Sequence, residues 1–130
     1  MARDRRLVDM LAIAYGAPFV WVGVQHFVRP EIFVAIMPTY FAWPFFWVYL
    51  TGCTEITLGL GVMIRRHRRL ASWLMAVQLC LLYLANLHMW MNDIAFDGVR
   101  FGTVGHVVRL FVQLLLLAAA VGFARTARRS

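Results

Sequence analysis

Four runs of about twenty mostly apolar residues fill nearly all of this chain, and a run of that length is what an α-helix needs to cross a bilayer. They cover approximately residues 7–27, 44–64, 70–91 and 103–124. None carries a polar face wide enough for a helix of a water-soluble bundle. Of the 130 residues, 62% are apolar, against roughly half in a typical soluble domain. Short connections between consecutive spans favour antiparallel neighbours. The expected fold is therefore all-α: a transmembrane four-helix bundle forming a single integral membrane domain over residues 1–130.

Charge then orients the bundle. The formal net charge is +7, and every basic residue is Arg. Arg3, Arg5 and Arg6 precede the first span, Arg65, Arg66, Arg68 and Arg69 join the second to the third, and Arg125, Arg128 and Arg129 follow the fourth. Only Arg29 and Arg100 stand at the opposite end. This asymmetry follows the positive-inside rule. It predicts cytoplasmic N- and C-termini in a bacterial-type inner membrane, with the basic loop against anionic headgroups. Nucleic acid is not the expected partner, because the arginines are distributed by membrane side. The N-terminal run extends beyond the h-region of a secretory signal and reads as a retained first helix.

The first connection at the Arg-poor end, residues 29–43, is unusually apolar. Pro30 and Glu31 suit a helix start, and Pro38 its end. Ile32, Phe33, Ile36 and Met37 share one face of a short amphipathic helix, which either lies on the membrane surface or folds down as a lid. Trp43, Trp47, Trp90 and Tyr40 read as an aromatic belt at the interface. In the second such connection, Asp97-Gly98 marks a turn, and Asp93 and Asp97 read as solvated. Cys53 and Cys80 lack CxxC spacing and read as packed apolar thiols.

Within the spans, the polar residues fall on shared helical faces. Tyr15, Phe19, Val22 and His26 form one stripe; Gly52, Glu55 and Gly59 form another, where the glycines permit close helix approach. Gln78, Leu82, Ala85 or Asn86, and Met89 align on the third helix, and His106, Arg109 and Gln113 on the fourth. Glu55 and Arg109 lie inside apolar stretches, where an unpaired charge costs at least ~3 kcal/mol. The expectation is a Glu55–Arg109 pair flanked by Asn86 and Gln113, in a pocket beneath the lid with His26 near its mouth. Such a cluster serves either as a structural cross-link or as a site for a polar headgroup or for protons. His26, His88 and His106 sit toward one end, but no two share a helix at metal-ligand spacing, so no metal site is expected and haem is disfavoured.

The run Gly23-Val24-Gln25-His26-Phe27-Val28-Arg29-Pro30-Glu31-Ile32-Phe33 resembles the G-x-x-H-F-x-x-P-x-x-F signature of DoxX-like membrane proteins. The likeness continues through Ile36, Met37 and Pro38, then Pro44, Tyr49, Gly52, Glu55, Gly59, Leu60 and Gly61. It resumes at Arg68 to Ala71, at Ala85 and Asn86, and at Arg109 and Gln113. Leu84 and Phe111 stand where that family often has proline, which implies straighter helices here. The resemblance implies a four-helix inner-membrane protein whose polar positions are His26, Glu55, Asn86, Arg109 and Gln113. It further implies an accessory or quinone-associated subunit of a membrane oxidoreductase, since some DoxX-like members are subunits of thiosulfate:quinone oxidoreductase. Quinone is the cofactor such a role would bring. The competing expectation is a non-enzymatic assembly subunit. The expected partners are the lipid bilayer with other membrane proteins or further copies of the chain.

Overall fold

The computed structural model describes residues 1–127, so Arg128 and Arg129 lie outside the described residues. Among the described residues five helices follow one another: α1 (Ala2–Val28), α2 (Pro30–Val34), α3 (Pro44–Met63), α4 (Arg68–Met91) and α5 (Gly102–Thr126). The four long helices are each long and apolar enough to span a membrane. The protein is an all-α, multi-pass membrane bundle whose outer faces contact lipid. Large apolar side chains such as Trp21, Val104 and Phe111 stand on those faces, more than half exposed. In a bilayer this carries no hydrophobic penalty, because lipid tails are as apolar as the side chains.

Each long helix packs on the next long helix in the chain, α1 on α3, α3 on α4 and α4 on α5. Two glycine pairs set the first contact. Gly16 and Gly23 on α1 face Gly59 and Gly52 on α3, both pairs seven residues apart along their helices. A methyl group at Gly23 would stand 2.9 Å from the Gly52 carbonyl oxygen, and one at Gly59 would stand 2.8 Å from that of Gly16. Backbone therefore lies against backbone, as small residues allow in membrane interfaces. Tyr15 closes the ring of helices between α1 and α5. Its hydroxyl donates to the Leu116 carbonyl at 2.8 Å, and its ring packs on Phe123.

The apolar core occupies the Arg-rich half, where Phe19, Met75, Ala76, Leu79 and Ala120 meet above a second group of Ala12, Val62 and Ala71. Below it, Arg68 is buried and ties three elements together. Its Nε donates to the Val62 carbonyl at 2.8 Å and its guanidinium also reaches Met63 and Asp9. Those contacts satisfy carbonyls left open at the C-terminal end of α3. Arg65 pairs with the same Asp9 carboxylate, which raises the affinity of the Arg65 guanidinium for its proton.

At the Arg-poor end the first connection folds inward. α2 is one short turn that places Phe33 on the cavity wall, and the bend after it buries Ile36 and carries Met37 onto the same wall. Of the two placements open to this segment, the lid is the one adopted. The second connection makes a tight reversal at Asp97-Gly98, both at positive φ, with Phe96 and Val99 exchanging two backbone hydrogen bonds of 3.0 Å. Positive φ at both central residues defines a type I′ turn, and Asp-Gly is a favoured pair for it.

Two sequence readings are corrected here. Cys53 and Cys80 are exposed on the helix surfaces rather than packed in the interior. Trp90 is turned inward and stacks on His106, with ring centroids 5.6 Å apart, whereas Tyr40 and Trp43 stand outward. Apolar periodicity cannot separate the core face from the lipid face when both are hydrophobic, so it misplaces such residues.

Candidate site: a lid-covered cavity with two polar walls

A cavity of about 1040 Å³ lies between the four long helices, above the core and below the lid. Ligand pockets run from roughly 300 to 1,000 Å³, so it is large enough for a drug-sized molecule. His26, Glu55, Asn86, Arg109 and Gln113 all line it. The five polar positions singled out in the sequence therefore converge on one space. They do so in a different pairing from the one the sequence suggests.

Glu55 does not pair with Arg109. Its Oε2 lies 3.3 Å from His26 Nδ1, and both side chains are about 95% buried. Side chains on a helix tilt toward that helix's N-terminus. The N-terminus of α1 is at the Arg-rich end and that of α3 at the lid end, so His26 leans inward while Glu55 leans toward it. Gly52, directly beside the His26 Cβ, leaves room for the approach. His26 Nδ1 also lies 2.8 Å from the Val22 carbonyl, which fixes Nδ1 as the protonated ring nitrogen. With that proton directed at Val22, Glu55 Oε2 has no hydrogen-bond partner among the described residues. The Phe33 ring from the lid stacks on the imidazole at 3.7 Å and locks its plane.

The opposite wall belongs to α4 and α5. Arg109 donates to Asn86 Oδ1 at 2.6 Å and to Met89 Sδ at 3.1 Å, and its guanidinium sits 4.8 Å over the Phe101 ring. The same tilt rule explains the direction. The N-terminus of α5 is at the lid end and that of α4 at the Arg-rich end, so Arg109 leans toward the lid while Asn86 leans inward to meet it. Gln113, one turn deeper, donates to the Leu79 carbonyl at 2.6 Å and pins α5 to α4. Gln78 spans from α4 to α3, its Nε2 donating to the Thr51 carbonyl at 3.4 Å while Oε1 is unpartnered.

Above the cavity the two connections are clasped together. Arg29, at the root of the lid, makes a two-pronged ion pair with Asp97 at 2.8 and 2.5 Å. The Arg29 guanidinium holds the Asp97 carboxyl below its ordinary value. Phe33 and Phe96 meet edge to face just beneath, with centroids 5.6 Å apart. Asp93 pairs with Arg100 at 3.1 Å. Both aspartates are solvent-exposed, as expected, and each also pairs with an arginine. The sequence carried a signal for this clasp, namely opposite charges in two connections at one end of the bundle. A second missed feature is Pro18, inside α1 on the cavity wall, which lacks the N–H that would bond the Ala14 carbonyl.

The histidines do not gather. His26 Nδ1 is committed to the Val22 carbonyl, His88 Nδ1 lies 3.2 Å from Asn92, and His106 stacks on Trp90, its buried Nε2 without a hydrogen bond among the described residues. Chemically, one wall offers an imidazole and a carboxyl that can hold and exchange a proton. The facing wall offers a guanidinium that can donate to a carbonyl or stabilise an oxyanion.

No curated protein and no solved structure matches the chain. Residues 15–124 match the family described as Domain of unknown function (DUF8561). Because that match runs from the first long helix to the end of the fourth, the chain belongs to the DUF8561 family.

Proposed function

We propose that this protein is the membrane subunit of an oxidoreductase system, and that its cavity holds the polar head of a quinone-class molecule. The observation that carries the reading is the buried His26–Glu55 pair facing Arg109 across one cavity. Interconverting a quinone and a quinol moves two electrons and two protons. The guanidinium of Arg109 suits a ring oxygen, and His26–Glu55 suits the transfer of a proton to or from it. The electrons are exchanged with a partner membrane protein. The DoxX-like resemblance supports the same reaction class. The arginine distribution supports an inner-membrane location with cytoplasmic termini, so the lid faces the opposite side.

The test is purification in mild detergent followed by extraction and mass spectrometry of bound lipids, together with quinone reduction by isolated membranes. The expected result is a copurifying quinone, with activity reduced at least tenfold in Glu55→Gln and in Arg109→Leu while both variants remain folded. Full activity in the Glu55→Gln variant would end the proposal.

One observation favours a second reading, the non-enzymatic assembly subunit. The α5 span is the least buried of the four, at 11% against 33% for α4. Its open face, with Val104, Val108 and Phe111, suits a partner helix or a second copy. Intact assembly of the complex with all pocket variants inactive in nothing measurable would select this reading.

A further inference from the structure

The cavity is not closed on all sides. Cys53, Thr57, Leu74, Val77 and Leu81 line it and are also exposed, so it reaches the surface along the seam between α3 and α4. That seam is a wedge. At the Arg-rich end α3 and α4 are in tight contact, where a methyl on Gly61 would meet the Ala71 Cβ at 2.6 Å and Arg68 bonds the end of α3. Halfway along, they are bridged by the long Gln78–Thr51 hydrogen bond of 3.4 Å. Exposure at this depth is exposure to lipid tails.

The wedge leads to polar atoms that lack partners. The Thr51 carbonyl can only accept, so the Gln78 amide must turn its nitrogen toward it and leave Oε1 over. Gln78 is 8% exposed and Glu55 4%, and each has one oxygen without a hydrogen bond. Leaving such a group unsatisfied in an apolar interior is unfavourable, so each oxygen favours a ligand that can donate to it. The Gln78 oxygen calls for a donor, whereas Arg109 on the far wall is itself a donor. A head group that both donates and accepts, such as a hydroxyl, serves both.

From this we propose that the α3–α4 wedge is a lateral entrance for a membrane-dissolved molecule with a hydroxyl-bearing head and an apolar tail. The head passes Gln78 into the cavity, and the tail stays in the seam against Cys53, Thr57, Leu74, Val77 and Leu81. The assignment rests on the cavity being the binding site proposed above. It adds the route and the need for a donating head. A hydroquinone ring and a glycerol headgroup share that chemistry.

The experiment uses the full chain in vesicles with three photoreactive probes of equal tail length, each carrying a tail diazirine: an alkyl hydroquinone, its dimethyl ether and a monoacylglycerol. Cross-linked peptides are mapped by mass spectrometry. The expected result is saturable labelling of the α3 and α4 seam by at least one hydroxyl-bearing probe, at least fivefold above labelling around Trp21 on the outer face of α1. The dimethyl ether and the Gln78→Leu variant should each lower it severalfold, and Val77→Trp should block it. The probe that saturates at the lower concentration identifies the head. Uniform labelling of all lipid-facing surfaces, or equal labelling by the ether, would overturn the entrance. Saturable seam labelling with wild-type redox activity in Glu55→Gln would leave the entrance standing and remove the redox reading. Loss of activity in Glu55→Gln without seam labelling would do the reverse.

Discussion

His26 on α1 reaches Glu55 on α3 at 3.3 Å, while Arg109 on α5 turns away to Asn86 on α4 at 2.6 Å. The polar interior is thus two separate pairs on opposing walls, with open space between them. A direct ion pair would have filled that space with side chains; this arrangement leaves it for a ligand.

The pairing is checked by double-mutant cycles with leucine at each position. Coupling between His26 and Glu55 should be about 0.6 kcal/mol, the average for polar pairs between membrane helices, and at most about 1.7 kcal/mol. Glu55 and Arg109 should be additive within about 0.5 kcal/mol. Reversible unfolding in mixed micelles reads both. Strong coupling between Glu55 and Arg109 would restore the pairing expected from the sequence.

Close glycine contact gives a second expectation. Gly23→Leu places atoms against the Gly52 carbonyl and Ile56, so α1 and α3 must separate. Overpacking of this kind costs about 1–3 kcal/mol. It should also break the His26–Glu55 contact, one turn away. Gly122→Ala meets nothing within 4 Å and should leave thermal stability unchanged. Equal effects from the two substitutions would show that the glycines do not set the interface.

The Arg29–Asp97 clasp should respond to pH and salt. Its carboxyl is held below the ordinary aspartate value of about 3.9, so the clasp is intact above that value. It is lost as pH falls through the lower value of the closed form. Spin labels at Glu31→Cys and Val99→Cys, with Cys53 and Cys80 replaced by alanine, report the distance between the two connections. A single short distance at pH 7 should broaden as acid titration passes below the ordinary aspartate value and on to the lower value of the clasp, and in molar salt, where exposed ion pairs are screened. Asp97→Asn should broaden it at every pH. A distance insensitive to all three would mean that the Phe33–Phe96 contact alone holds the lid.

Arg68 should tolerate neither leucine nor lysine. Its planar fork serves two carbonyls and Asp9 together, and a lysine ammonium cannot span that arrangement. Arg68→Lys should cost about 1–3 kcal/mol, measured as loss of folded protein on heating in detergent. Arg66→Lys, in the same basic loop, should cost almost nothing.

Much was legible without coordinates. The helices observed begin and end within a few residues of the apolar runs, apart from the start of α1, because the bilayer fixes both their length and their hydrophobicity. Helical spacing also placed His26, Glu55, Asn86, Arg109 and Gln113 on inward faces, and a buried polar residue among lipid-soluble neighbours has few other places to go. The Asp97-Gly98 turn followed from its backbone preference alone. What only the tertiary structure decided was which polar group meets which. Opposite charge suggested Glu55 and Arg109, but the direction in which each helix tilts its side chains, and the backbone approach that Gly52 and Gly23 allow, gave Glu55 to His26. Sequence records the presence of a charge in the membrane; the antiparallel helix packed beside it determines which group its side chain meets, and here the α1–α3 and α4–α5 contacts drew the polar groups to two walls and left a cavity between them.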